Sequence, residues 1–294
     1  MMRRRSIGVL LAAAVALAGC GGSSSSAAQP MRVLVTNDDG VAAPGIAALV
    51  QELQNNPQLD ITVSAPAVNQ SGSGDQTTTN GPLRVAPATT SNGFAAMAVN
   101  GYPADSVLFA LLGPVPAEPD LIVSGINAGQ NIGEYTYLSG TVGAARWGAR
   151  HRVPAIAFSQ GLPASSYATL AAYAGELVER FRRDAEFRRL LVPPDSATAR
   201  ILNVNFPTCA SGQQRGIVVV PVGRSSQIFG YTLSSTDGDA SIYQPQVEST
   251  NAFASNCNST LTNPGDDVTA LTNGFGTLTP LTPDLGVDTG LDRY

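Results

Sequence analysis

The sequence predicts an α/β fold of three layers, with one mostly parallel sheet covered by helices on both faces. Two observations predict it. Short β-branched runs alternate with segments of helical period along most of the chain, and strand–helix–strand alternation builds parallel sheets. The 294 residues are 43% hydrophobic, enough for a sizeable core in one large α/β domain. Neither an internal repeat nor a second domain boundary is visible.

The chain opens on "MMRRRSIGVLLAAAVALAGC", three arginines, a short apolar run and small residues before Cys20. That is the layout of a secretory signal, too short for a comfortable transmembrane helix. Its "LAGC" ending looks like a bacterial lipobox, so residues 1–19 are expected to be removed and Cys20 lipidated. A plain secretory signal is the alternative. Gly21 after the cysteine, in place of Asp, is compatible with outer-membrane sorting, on the periplasmic side. Residues 20–30 form a flexible Gly/Ser tether, and residues 31–294 a single domain.

"RVLVTN" (32–37) reads as the first strand, and Ile46, Leu49, Val50 and Leu53 follow at helical spacing. "LDITVSAP" (59–66) reads as a second buried strand. "NQSGSGDQTTTNG" (69–81) is a polar loop too long for a mere connector. "ADSVLFALL" (104–112) and "TVGAARWGAR" (141–150) read as helices, "DLIVSGIN" (120–127) and "PAIAFS" (154–159) as strands. A long helix carries Leu170, Tyr173, Leu177 and Phe181 on one face, followed by strands "ILNVNF" and "GIVVVPV". From about residue 225 the chain turns rich in Ser, Thr, Asn and Gly, and its structure there is ambiguous.

The composition excludes several function classes. All 17 basic residues are arginine, so a phosphate-loop lysine and a lysine Schiff base are out. The formal charge of −5, which becomes −8 once three leader arginines are removed, argues against a nucleic-acid duplex as partner. The single histidine, His151, sits at a basic helix end and reads as structural. No G-x-S-x-G elbow accompanies it. Cys209 and Cys257 remain beside Cys20. An oxidising compartment favours their pairing, with two buried free thiols as the alternative.

In open parallel sheets ligands bind beyond the carboxyl ends of the strands. There "NDDG" places Asp38 beside Asp39, and like charges so close call for a cation between them. Two carboxylates with a hydroxyl and an amide oxygen are hard donors, suited to Mg²⁺, Mn²⁺ or Ca²⁺ and not to zinc. The doublet does not fit the alternating Asp-x-Asp of calcium loops. In "SGTVGAA", Ser139, Gly140 and Thr141 open a helix whose small residues let an anion approach the amides. An ordinary N-cap is the alternative there. A cation site and an anion site on one sheet edge point to a phosphate ester.

"VLVTNDDG", "APG", the "SG" of the Gly-rich loop, "PAD", "DLIVSGIN", "GQNIG" and "SGTVGAA" occur in this order. In them the chain resembles the SurE family of stationary-phase survival proteins, metal-dependent 5′/3′-nucleotidases. The likeness covers roughly residues 31–160, runs more loosely to about 207, and returns in "GFGTLTPL" (274–281). It implies a Rossmann-like sheet with a C-terminal part that varies, and hydrolysis of nucleoside monophosphates to nucleoside and phosphate. It implies one divalent cation per subunit, Mg²⁺ or Mn²⁺ with Ca²⁺ as a possible occupant, held by Asp38, Asp39, Ser71 and Asn127. Asp38 or Asp39 would act on the water. Asn131, Ser139, Gly140 and Thr141 would surround the phosphate, with Asn37 and Gly40 shaping the first loop. A homodimer or homotetramer is implied too.

This chain departs from the family pattern in three places. "APAVNQSG" lacks basic residues before the serine, Tyr102 stands in "GYPADS", and Leu138 precedes "SGT". The alternatives are therefore a lipid-anchored protein that captures nucleotide or phosphate without turnover, and an acid phosphatase of broader specificity. Tyr135 and Tyr137 lie close enough to the site to stack on a base, while Trp147 reads as core or subunit contact.

Overall fold

A computed structural model describes residues 29–114, 118–164, 166–224, 228–247 and 254–284. The expected leader (1–19), Cys20 and all of the expected tether but residues 29 and 30 lie outside the described residues. In chain order the elements begin with β1 (Met31–Thr36), α1 (Pro44–Leu53), β2 (Leu59–Pro66), β3 (Arg84–Thr89), β4 (Ala95–Asn100) and α2 (Pro103–Leu112). They continue with β5 (Leu121–Ala128), α3 (Tyr135–Leu138), α4 (Gly140–Arg150), β6 (Ala155–Gln160), α5 (Ala168–Arg183), α6 (Ala185–Leu191) and β7 (Ile201–Phe206). The last part holds β8 (Cys209–Gly212), β9 (Ile217–Val219), β10 (Ile228–Asp237), β11 (Ala240–Val247), β12 (Ser255–Cys257), α7 (Asp267–Thr272) and β13 (Gly276–Leu281).

Nine strands form the main sheet, in the order β3-β4-β2-β1-β5-β6-β7-β13-β9. From β4 to β7 all neighbours are parallel; β3 on β4 and β13 on β7 are antiparallel. The pleat divides β1 between two cores. Val33 and Val35 join the cluster under α1 and α5, with Ile46, Leu49, Leu170 and Leu177. Leu34 faces the other way, with Val107 of α2 and Val142 and Ala145 of α4. Each such side chain, fully buried, contributes about 1.5–3 kcal/mol. The mostly parallel sheet with a helix layer on each face is thus the architecture of the chain.

The hairpin of β3 and β4 is not apparent in the sequence. Its strands are Ala-rich and only half buried, so neither alternation nor a continuous apolar run marks them. The tail ends in the late strand that the family likeness of "GFGTLTPL" implies: β13 returns into the main sheet between β7 and β9. On the way β12 pairs with β8, and Cys209 forms a disulfide with Cys257, their Cα atoms 5.6 Å apart. β10 and β11 form a separate two-stranded hairpin exposing Tyr231, Leu233, Ile242 and Tyr243.

Candidate active site

Because β1 lies between β2 and β5, the loops leaving these three strands share one carboxyl edge. The first loop is shaped from within. Buried Asn37 donates its Nδ2–H to the Gly40 carbonyl at 2.9 Å. Gly40 takes φ +102°, and a Cβ there would meet the Val68 carbonyl carbon at 3.1 Å, so both backbone angle and space require glycine.

The second loop is tied to the acidic pair by its backbone and by Asn69. The Gln70 N–H donates to the Asp38 carbonyl at 2.7 Å. Asn69 accepts from the Ser71 N–H at 2.8 Å and directs its own amide to Asp39 Oδ1 at 3.4 Å. Ser71 is exposed on this loop, one side chain away from Asp39. The end of β5 joins through the Ala128 N–H, which donates to Asp39 Oδ2 at 3.0 Å. Next to it Asn127 donates its Nδ2–H to the Gly129 carbonyl at 2.7 Å, which orients the amide and leaves Oδ1 uncommitted among the described residues.

The helix α4 closes the other side. Ser139 caps it, its Oγ accepting from the Val142 N–H at 3.1 Å. A Cβ on Gly140 would lie 2.8 Å from the Asp38 Cβ and 2.9 Å from Ser73 Oγ, so the bare helix start lies directly on the acid. The Thr141 hydroxyl donates to Asp38 Oδ1 at 2.5 Å and is thereby committed to the carboxylate. Asn131 lies in a buried amide network: its N–H donates to Asn205 Oδ1 at 2.7 Å and its Nδ2–H to Ser159 Oγ at 2.8 Å.

Electrostatics follow from this packing. Asp38 is only 3% exposed. Burial pushes its carboxyl up to about 6; the Thr141 hydrogen bond opposes that shift and the Asp39 charge adds to it. Burial also raises Asp39, opposed by the Ala128 N–H. Among the described residues no arginine pairs with either acid. Neither do the described residues hold a group of three or more His, Cys, Asp or Glu. A buried and a half-buried carboxylate without a cation partner among the described residues, beside the Ser71 loop and the Asn127 amide oxygen, fit a hard divalent ion. A cleft of about 510 Å³ opens beside Asp39, lined by Gly40, Pro44, Val68 and Asn69. A larger cleft, about 1080 Å³, lies at the opposite edge around Arg32 and Asp120, which already pair with each other.

Other residues singled out from sequence lie elsewhere or have partners. His151 is the C-cap of α4, its Nδ1 2.9 Å from the Trp147 carbonyl. Trp147 donates Nε1–H to the Asp75 carbonyl at 2.9 Å. Tyr135 packs on the cluster of Ile132 and Leu271, and the Tyr137 ring carries the Arg146 guanidinium at 5.2 Å. Sequence reasoning missed Asn69, the link between Asp39 and Ser71. It also missed Ser73, whose buried hydroxyl lies beside Gly140 with no hydrogen-bond partner among the described residues. The repeated "SGSG" was the only signal for Ser73, and it does not say which serine turns inward.

Comparison with known proteins agrees with this geometry. Residues 33–228 match the family model described as Survival protein SurE. The 5′-nucleotidase SurE of Polaromonas naphthalenivorans (strain CJ2) is 36% identical over 265 residues, covering 87% of this chain and 92% of that protein. The crystal structure of the SurE protein from Aquifex aeolicus superposes with a TM-score of 0.69 at 28% identity, over 89% of this chain and 97% of that one. With a sheet edge that gathers the acidic pair, the Ser71 loop, Asn127 and the start of α4, and with matches of this extent, the chain belongs to the SurE family.

Proposed function

We propose that the protein is a metal-dependent phosphomonoesterase that hydrolyses nucleoside 5′- or 3′-monophosphates to nucleoside and phosphate. The observation that carries this reading is the acidic pair, buried Asp38 and half-buried Asp39, uncompensated by any arginine among the described residues, with Asp39 met by Asn69 of the Ser71 loop and by the Ala128 N–H next to Asn127. The similarity to a 5′-nucleotidase SurE supports the nucleotide as substrate. Asp38, Asp39, Ser71 and Asn127 would hold one divalent cation, Mg²⁺ or Mn²⁺, with Ca²⁺ as a possible occupant. Such an ion supplies electrophilic assistance at phosphoryl oxygens and acidifies water.

The chain's own residues do the rest. The acidic pair orients water and takes its proton as the water oxygen bonds to phosphorus and the P–O ester bond breaks; that proton is passed on to the departing oxygen, which leaves as the nucleoside hydroxyl. Ser139 and the first-turn amides of α4, left small by Gly140, receive charge on the phosphoryl oxygens. Thr141 holds Asp38, and Asn131 is fixed by Asn205 and Ser159 beside them. Phosphate release from a panel of nucleoside monophosphates, with and without EDTA, tests the reading. Asp39→Asn should abolish turnover and weaken metal binding, and full activity of that variant with added Mg²⁺ or Mn²⁺ would sink the assignment.

A capture role without turnover draws support from one feature: the loop before Ser71 holds Ala67 and Val68 and no basic residue. Tight nucleotide binding without phosphate release would favour it. The "LAGC" sequence supports a lipid on Cys20 and a place on the periplasmic side, the outer membrane favoured. Among the described residues no helix is long and apolar enough to cross a membrane. Loss of acyl-chain labelling in Cys20→Ala tests the anchor. The apolar side chains exposed on the β10–β11 hairpin support a homodimer or homotetramer, which sedimentation of the purified protein would resolve.

A further inference from the structure

We propose that Asp267, in the C-terminal tail, is a positioning residue that holds the 129–133 loop, and through it Asn131 and Ser139, in register for turnover. Asp267 is fully buried and no cation pairs with it among the described residues. A carboxylate in that position is expensive unless backbone donors surround it. They do: the Gly133 N–H reaches both carboxylate oxygens at 3.2 Å, and the Gly223 N–H reaches Oδ1 at 2.7 Å. Such charge-assisted bonds are about twice as strong as neutral ones.

The same short helix adds an apolar grip. Leu271 packs against Ile132, so α7 holds the two residues that immediately follow Asn131. From the sheet side, Asn205 Oδ1 accepts the Asn131 N–H and Asn203 Nδ2 donates to the Asn131 carbonyl, both at 2.7 Å. The loop is therefore clamped between β7 and the tail. Its far end continues the hold. The Gly133 carbonyl accepts the Thr136 hydroxyl at 2.7 Å, and the Tyr135 carbonyl accepts the Ser139 N–H at 3.0 Å. Ser139 then starts the helix that lies on Asp38. The candidate metal donors, by contrast, sit on β1, the second loop and the end of β5 and make no hydrogen bond to Asp267; Asn127 alone is bonded to the clamped loop, at the Gly129 carbonyl, four residues before Gly133.

That separation gives a test, which rests on the nucleotidase reading only for its kinetic arm. The full chain, Asp267→Asn and Asp267→Ala are compared by steady-state kinetics at saturating Mn²⁺, by Mn²⁺ titration, and by amide hydrogen exchange. We expect kcat for a nucleoside monophosphate to fall roughly 10- to 100-fold in Asp267→Ala and less in Asp267→Asn, the scale of a small misplacement of reacting groups. Mn²⁺ affinity should stay within about twofold, and exchange should accelerate across 130–138 but not in β1 or β5. An unchanged kcat in Asp267→Ala overturns the proposal. So does a parallel loss of Mn²⁺ affinity and of protection in β1 and β5, which would mean ordinary destabilisation. If neither Asp267 variant folds, Leu271→Ala must show the same split, and unaltered loop exchange there refutes the clamp. A parent chain that releases no phosphate defeats the nucleotidase reading instead, and the exchange and Mn²⁺ arms still decide the clamp.

Discussion

Asp38 holds its proton more tightly in the fold than in the unfolded chain, because burial outweighs the Thr141 hydroxyl that stabilises its charge. With a folded value of about 6 against an ordinary 3.8, the native state binds the extra proton between roughly pH 4 and 6. The contribution of Asp38 to the stability of the metal-free protein then falls as pH rises through that window and levels off above it. The shift corresponds to about 3 kcal/mol. Urea unfolding of parent and Asp38→Asn at pH 4 and 7 should show that drop as the difference between them, the parent losing stability relative to the variant as pH rises. Thr141→Val removes the one side-chain donor to the carboxylate, and at pH 7 should destabilise by about 1–3 kcal/mol. At pH 4, where Asp38 is neutral, the same substitution should matter less, and equal losses at both values would refute this account of Thr141. The acidic doublet is legible in the sequence because adjacent carboxylates after a strand demand an explanation. Asn69 and Asp267 are not, since each acts on a partner far along the chain: 30 residues from Asn69 to Asp39, 134 from Asp267 to Gly133.

At the scale of elements, the contact that assembles the site is α4 lying on the second loop. A Cβ on Gly143 would come within 2.0 Å of the Gly74 carbonyl oxygen, and backbone cannot swing aside as a side chain can. Gly143→Ala should therefore push the 72–76 segment off the helix. It should destabilise by about 1–3 kcal/mol, the usual scale of overpacking, and lower kcat/KM as Ser139 and Thr141 shift. Wild-type kinetics and an unchanged urea midpoint would show that the loop tolerates displacement. The elements legible in sequence are those with a well-buried apolar run or stripe. β1, β5, β6 and β7 bury apolar residues on both faces, β2 buries its C-terminal half, and α5 buries one clean stripe. Among the elements that were not legible, β3, β4, β10 and β11 are half covered or exposed, so burial imposes no period on their sequences, and α3, α6, α7, β8 and β12 are seven residues or fewer, too short to show one.

For the whole molecule, the tail both completes the sheet through β13 and reaches the site through α7, so whatever fixes the tail bears on the fold as a unit. The Cys209–Cys257 disulfide does this by closing a loop that contains β9, β10 and β11. Its partners are 48 residues apart, for which loop-closure entropy in the unfolded chain is worth about 4 kcal/mol. That is a large share of the roughly 5–15 kcal/mol that holds a domain folded. A Cys209→Ser/Cys257→Ser variant should unfold at clearly lower urea than the oxidised parent, and reductant should bring the parent down to the same midpoint. Because Gly274, between α7 and β13, packs its Cα side against Cys257, the loss should register first where the tail meets the sheet. Hydrogen exchange would then rise in β13 and α7 before it rises in β1. A urea midpoint unmoved by reductant would mean that the hydrogen bonds of β8, β12 and β13 already hold the tail, and that the bond closes a loop the native chain does not need closed.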